Sequence, residues 1–181
     1  MVAEHADALL VDARATSRAL RPSRYNADDQ GGRRPRSAAH TGAVPYDLER
    51  FVAAQEGVYV DVVEELRRGR KTGHWIWFVF PQIAGLGQSE TSRSYAIGSL
   101  DEARAYLAHP LLGPRLHECA ELLLAAAGGS ADDILGSIDA MKVRSSMTLF
   151  QRAVPEDPVF RAVLDRYYDG LFDEATEALL A

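Results

Sequence analysis

At 181 residues, with 47% hydrophobic and 25% charged residues, the chain has the length and balance of one soluble globular domain with a real core. Its net charge of -6 and pI near 5.4 argue against general nucleic-acid binding. The single cysteine, Cys119, excludes an intrachain disulfide, and no apolar run approaches the roughly 18 residues that a membrane span needs.

The charge is unevenly spread: residues 1–45 hold seven Arg against five acids, and residues 46–181 hold thirteen bases against twenty-one acids. The opening residues carry acids where a secretion signal carries bases, so a cytoplasmic location is expected. From Arg21 to Pro45 the chain has three Pro, three Gly and one aromatic, too little apolar surface to offset the cost of ordering. Residues 1–45 are therefore expected to be a disordered extension, and residues 46–181 the folded domain.

Leu48, Phe51, Val52, Gln55, Val58, Tyr59, Val62, Val63 and Leu66 recur at steps of three and four, which predicts one amphipathic helix capped by Asp47 and ended by Gly69. The unbroken apolar run His74–Phe80 fits either a buried strand or a buried helix. Helices on both sides and no partner strand favour a helix ended by Pro81, placed in the middle of a bundle. Ser99 and Glu102 have capping-box spacing before a helix to His109, and Pro110 separates it from a second helix closed by Gly128 and Gly129. A short helix over 130–136, a longer one ending before Pro155, one starting at Asp157-Pro158 and stopping at Gly170, and a last one from Asp173 complete the chain. The expected fold is all-α, a multihelical single domain around a buried central helix.

Three polar clusters interrupt this helical pattern. In Pro81–Tyr95, Gly85 and Gly87 permit positive φ, and Ser89, Ser92, Ser94 and Arg93 add donors; such a loop is either a ligand cradle or a capped turn. In Asp139–Phe150, Lys142 lies one turn from Asp139 and from Ser146, and Ser145 one turn from Thr148. That pattern serves a bound polar group or a small-residue helix crossing equally well. In His109–Leu116, Gly113 allows close approach, and Arg115 has the fork to hold a phosphate or pair with an acid. His74 and Trp77 fall one turn apart with polar tips, and Trp77 and Tyr95 offer stacking faces. No ligand spacing of a metal site occurs, and Cys119 within an apolar helix reads as a small buried residue.

With those residues in view, the chain resembles the domain-of-unknown-function family 1810, whose members carry a calpastatin-like label. The likeness runs through YDLERFVAAQ, KTGHWIWFVFPQIAGLGQSETSRSYAI, EARAYLAHPLLGPRL and MKVRSSMTLF, over residues 46–181. It implies a multihelical fold around a buried central helix. Calpain-inhibiting peptides are disordered, whereas this segment reads as a compact core, so the label implies nothing about function here. A fainter likeness, through His74–Trp75 and Lys142, is to the NADAR N-glycosidases; the Glu that precedes their His is Gly73 in this chain.

N-glycoside hydrolysis needs a carboxylate, for which Glu90 and Asp139 are the nearest candidates. The expectation is a pocket for a nucleotide-like or ADP-ribose-like ligand lined by His74, Trp77, Gln82, Gly85, Gly87, Ser89, Tyr95, Arg115, Lys142, Ser145 and Ser146, with no cofactor and no metal. The competing expectation is a non-enzymatic module that binds a protein partner through its acidic helical surface.

Overall fold

The structure, a computed structural model, describes residues 46–181. The disordered extension expected over residues 1–45 lies outside the described residues. Among the described residues there is no β-strand, only an isolated parallel bridge between Ile83 and Ile97, and no helix is long and apolar enough to cross a membrane. The expectation of an all-α domain holds.

The first helical stretch is two helices rather than one. α1 (Glu49–Gln55) buries Phe51 and Gln55, and α2 (Tyr59–Arg67) buries Val62, Val63 and Leu66. The break falls at Gly57, whose φ of +78° lies in the left-handed region and stops the helical ladder without disturbing the apolar face. Leu48 rather than Asp47 occupies the N-cap, with no side-chain cap. Gln55 on this face is a hub: its amide donates to the Phe78 carbonyl at 2.7 Å and to Tyr106 Oη at 3.2 Å, and its oxygen accepts from Arg115.

The aromatic run forms only one helical turn, α3 (Ile76–Val79). Pro81 disfavours helical geometry at the residue before it, and Phe80 accordingly leaves the helix at φ -119°, ψ 70°. Trp75, Ile76, Val79 and Phe80 are buried in the core, as their apolarity requires. The central helix is instead α8 (Ser137–Ala153), which packs against α3, α5 (Leu100–Ala108), α7 (Ala131–Leu135), α9 (Pro158–Tyr167) and α10 (Glu174–Leu180). Its Phe150 is fully buried between Tyr106 and Phe160, with ring centroids 5.5 and 5.6 Å away. α6 (Leu112–Ala125) closes the other side of this core against α2, α5 and α9.

Side-chain caps set five of the ten helix starts among the described residues. Ser99 Oγ accepts from the Glu102 N–H, but Glu102 returns its carboxylate to the Gly98 N–H and to Arg50 rather than to Ser99. The reciprocal capping box sits at Ser130 and Asp133, ahead of α7. Asp157 caps α9 through the Val159 N–H, with Pro158 in the first turn.

Asp157 also ties α9 to α6. His117 Nε2 lies 2.6 Å from Asp157 Oδ2 and Nδ1 lies 2.8 Å from the Gly113 carbonyl, so both ring nitrogens face acceptors. Burial alone would push the imidazole down, but the Gly113 carbonyl and the Asp157 carboxylate outweigh it and raise the pKa above its ordinary 6.5. A raised folded-state pKa contributes stability below the unfolded value that is lost as pH rises through the folded one. The His117 ring protons should therefore titrate above pH 6.5 in an NMR series, and Asp157→Asn should move that midpoint down. A parent midpoint at or below 6.5 would count against the paired imidazolium.

Candidate functional site

One cleft, of about 420 Å³, gathers residues from both polar stretches. α8 contributes Ile138, Met141, Lys142 and Ser145, a stripe at helical spacing; α3 contributes Trp77; the loop after it contributes Gln82, Leu86, Gly87, Gln88 and Ser89; the short helix after that loop contributes Ser92; and α10 contributes Asp173 and Ala175 from its start. Ser89 is the N-cap of α4 (Glu90–Ser94). The volume falls in the range of small-molecule sites, and the lining mixes apolar wall with a few polar groups.

Among the described residues, Lys142 is the one cation lining the cleft. Its ammonium lies 4.5 Å from the Trp77 ring centroid and 2.7 Å from Asp139 Oδ1. Asp139 Oδ2 is held at 2.7 Å by Lys71, whose ammonium also donates to the Gly73 carbonyl and lies over the Trp75 ring. Burial pushes the Asp139 carboxyl up, but the two lysines outweigh it and hold it below the usual carboxylate range. With both oxygens bonded and the charge fixed, Asp139 is suited to anchor lysines rather than to accept a proton.

The glycine–serine loop is a capped turn whose donors are largely spent on itself. Ser89 Oγ accepts from the Ser92 N–H and donates to Ser92 Oγ, which donates to the Ser89 carbonyl. Gly87 is required there, because a Cβ would stand 2.2 Å from the Ser92 Cβ. On α8, Ser145 and Thr148 bond back to the carbonyls of Met141 and Arg144. Thr148 Oγ1 also accepts from the Asp173 N–H at 2.9 Å, which fixes Asp173 at the cleft edge. Asp173 spends Oδ2 on the Thr176 N–H and hydroxyl, capping α10, while Oδ1 has no partner among the described residues.

Of the residues expected from the sequence, Trp77, Gln82, Gly87, Ser89, Lys142 and Ser145 line this cleft. His74, exposed, and Asp139 line an adjoining hollow that shares Trp77 and Ile138 with it. Five stand elsewhere. Gly85 faces Leu179, and Tyr95 packs on Phe51 and Phe78. Glu90 is exposed on α4, and Arg115 stacks on Tyr59 and bonds Gln55. Ser146 is fully buried, one position round the helix from the cleft stripe, and its hydroxyl finds no partner among the described residues. Cys119 is fully buried, and burial pushes its thiol up to about 12, so it is no nucleophile at neutral pH.

The family described as "Protein of unknown function (DUF1810)" matches residues 45–180. The chain belongs to this family. No curated protein matches it. Among solved structures it is similar to the conserved hypothetical protein Rv1873 from Mycobacterium tuberculosis, at 57% identity and a TM-score of 0.74, covering 75% of this chain and 97% of that one.

In this DUF1810 domain, two charged residues at the cleft lie outside the sequence expectation: Asp173, expected only as the start of a helix, and Lys71, which had no expected role. Lys71 and Asp139 meet only because the Lys71 N–H bonds the Ile134 carbonyl, which docks the α2–α3 connection onto α7. A carboxylate does stand beside Gly73, but it is Glu65 from α2, and both its oxygens are bonded to the Thr72–Trp75 turn.

Proposed function

We propose that the cleft binds a small ligand that carries an anionic group and a flat or apolar body, of the nucleotide-like kind. The observation that carries this is Lys142, which Asp139 and Trp77 hold at the wall of a cleft that Leu86, Ile138 and Met141 also line. A charged donor at an apolar wall matches an anion attached to an aromatic or aliphatic group. Ile138 and Met141 are 66% and 62% exposed, apolar surface at the rim that such a ligand would cover.

The test is thermal unfolding of the full chain with nucleoside phosphates, ADP-ribose, sugar phosphates and flavin precursors. Ligand at a hundred times its Kd adds about 2.7 kcal/mol of stability. Lys142→Ala should weaken binding by about 1.5–3 kcal/mol, a ten- to hundredfold change, with the fold intact because Asp139 keeps Lys71. A flat panel, or a Lys142→Ala variant with parental affinity, sinks the reading and turns attention to a protein partner for the exposed Ile138–Met141 lip.

A second reading, hydrolysis of an N-glycosidic bond in such a ligand, is favoured by Asp173. Among the described residues it is the one acid lining the cleft and its Oδ1 is unspent, whereas Asp139 is clamped and Glu90 lies outside. The distant NADAR likeness supports it only through His74–Trp75 and Lys142, which border adjoining hollows. No base release from the parent would remove this reading while leaving ligand binding in place, and base release that persists in Asp173→Asn would remove Asp173 as its carboxylate.

A further inference from the structure

We propose that Lys71, which does not line the cleft, gives the Lys142 wall its positive sign and so selects an oxyanion there; the inference rests on the ligand-binding reading above. An isolated Lys142–Asp139 pair is neutral and offers an anion little more than a dipole. Here a single carboxylate is divided between two ammoniums, Lys142 on Oδ1 and Lys71 on Oδ2, each at 2.7 Å. Within this trio one positive charge is left over; the neighbouring carboxylate of Glu65 spends its oxygens on the Thr72, Gly73 and Trp75 donors rather than on Lys71.

The side chain of Lys71 is 7% exposed, so its charge acts through protein rather than through water and is weakly screened. Besides Asp139, its ammonium meets the Gly73 carbonyl at 2.5 Å and the Trp75 ring at 4.9 Å. Its backbone is tied by the 2.7 Å bond to the Ile134 carbonyl, which places the side chain within reach of Asp139. The carboxylate of Asp173 directs Oδ2 to the Thr176 N–H at the start of α10, where the helix end offsets its charge. Lys142 is therefore the point at which the surplus charge meets solvent. Lys71 is a positioning residue, acting through Asp139 and never touching the ligand.

Trp77 reports the sign directly, because it is half-buried beside Lys142 while Trp75 is 3% exposed and shielded from collision. The measurement is quenching of full-chain tryptophan fluorescence by iodide and by caesium at fixed ionic strength, with Trp77→Phe as the background. The iodide-to-caesium ratio should fall about threefold in Lys71→Gln, stay near parental in Lys71→Arg, and rise in Asp139→Asn. A purely structural role for Lys71 would move Lys71→Gln and Asp139→Asn the same way.

In parallel, Lys71→Gln should lose about tenfold in affinity for adenosine monophosphate and nothing for adenosine. An unchanged ratio in Lys71→Gln, or a fall in Asp139→Asn, overturns the proposal. If Asp139→Asn does not fold, the Gln and Arg variants of Lys71 decide it. Iodide is its own probe, so the expected ratios beside a flat metabolite panel overturn the ligand reading alone.

Discussion

Glu65→Ala is expected to lower the stability of the domain by about 3 kcal/mol or more, a drop of roughly 10 °C in midpoint. The carboxylate of Glu65 accepts from the Thr72 N–H and hydroxyl, from the Gly73 N–H at 2.9 Å and from Trp75 Nε1 at 2.8 Å. Removing it strands the Gly73 N–H and the Trp75 indole N–H away from full hydration, and each orphaned donor costs about 1–3 kcal/mol. The turn it holds carries the Gly73 carbonyl that fixes Lys71, so the cleft wall should loosen as well.

The same contacts give a pH signature. Burial alone would raise the Glu65 pKa, but the bonds from Gly73, Thr72 and Trp75 outweigh it and bring it to about 2, against 4.5 for a free side chain. A depressed folded-state pKa gives stability that is complete above 4.5 and is lost as pH falls toward 2. Urea unfolding of the parent between pH 5 and 2.5 should show that loss, and Glu65→Gln should flatten it. Acid limbs that overlay for the two proteins would show that the cluster does not carry the effect.

The pattern of what could be read from the sequence follows the range of the interactions. α7, α9 and α10 are set by caps a few residues from the helices they start, Ser130, Asp157 and Asp173, and the apolar faces of α6 and α8 repeat at a fixed spacing. The one-turn α3 was hidden because an apolar run says that residues are buried without saying how far a helix continues. Gly57 was hidden for the opposite reason: the apolar period runs through it, and only its positive φ breaks the ladder. In the site, Lys142 and Ser145 were legible as polar groups on one helix, but Ile138 and Met141 beside them were not, and Ser146, expected on the Lys142 side, is buried.

Lys71–Asp139 and Thr148–Asp173 were not legible, since each joins segments far apart in sequence through backbone docking. Glu90 and Arg115 have the chemistry of site residues, but one is solvated and the other is committed to Gln55 and Tyr59. Composition near a loop identifies candidate groups; packing decides which of them face the same space.

Gly113→Ala should destabilise by about 3 kcal/mol or more, at the upper end of overpacking effects. A Cβ at this position would lie 2.0 Å from the Leu107 carbonyl oxygen and 2.9 Å from its carbon. These are backbone atoms of the preceding helix, so no rotamer change can make room. The junction has no slack: the His109 ring accepts from the Leu111 and Leu112 N–H groups at 3.2 and 3.3 Å, holding the start of α6 close to the end of α5. Making space means lifting α6 from α5, and α6 also packs on α2 and α9, so the displacement would reach the Phe150–Phe160 core. The strain also falls on the Gly113 carbonyl that His117 uses, so the α6–α9 tie should weaken with it. Urea denaturation reads the outcome, and a Gly113→Ala midpoint within the parent's error would mean that α6 can shift without cost. Gly113 stands apart from the residues that line the cleft. Whatever fraction of the variant folds should therefore bind ligand with parental affinity, which separates a packing requirement of the fold from the chemistry of the site.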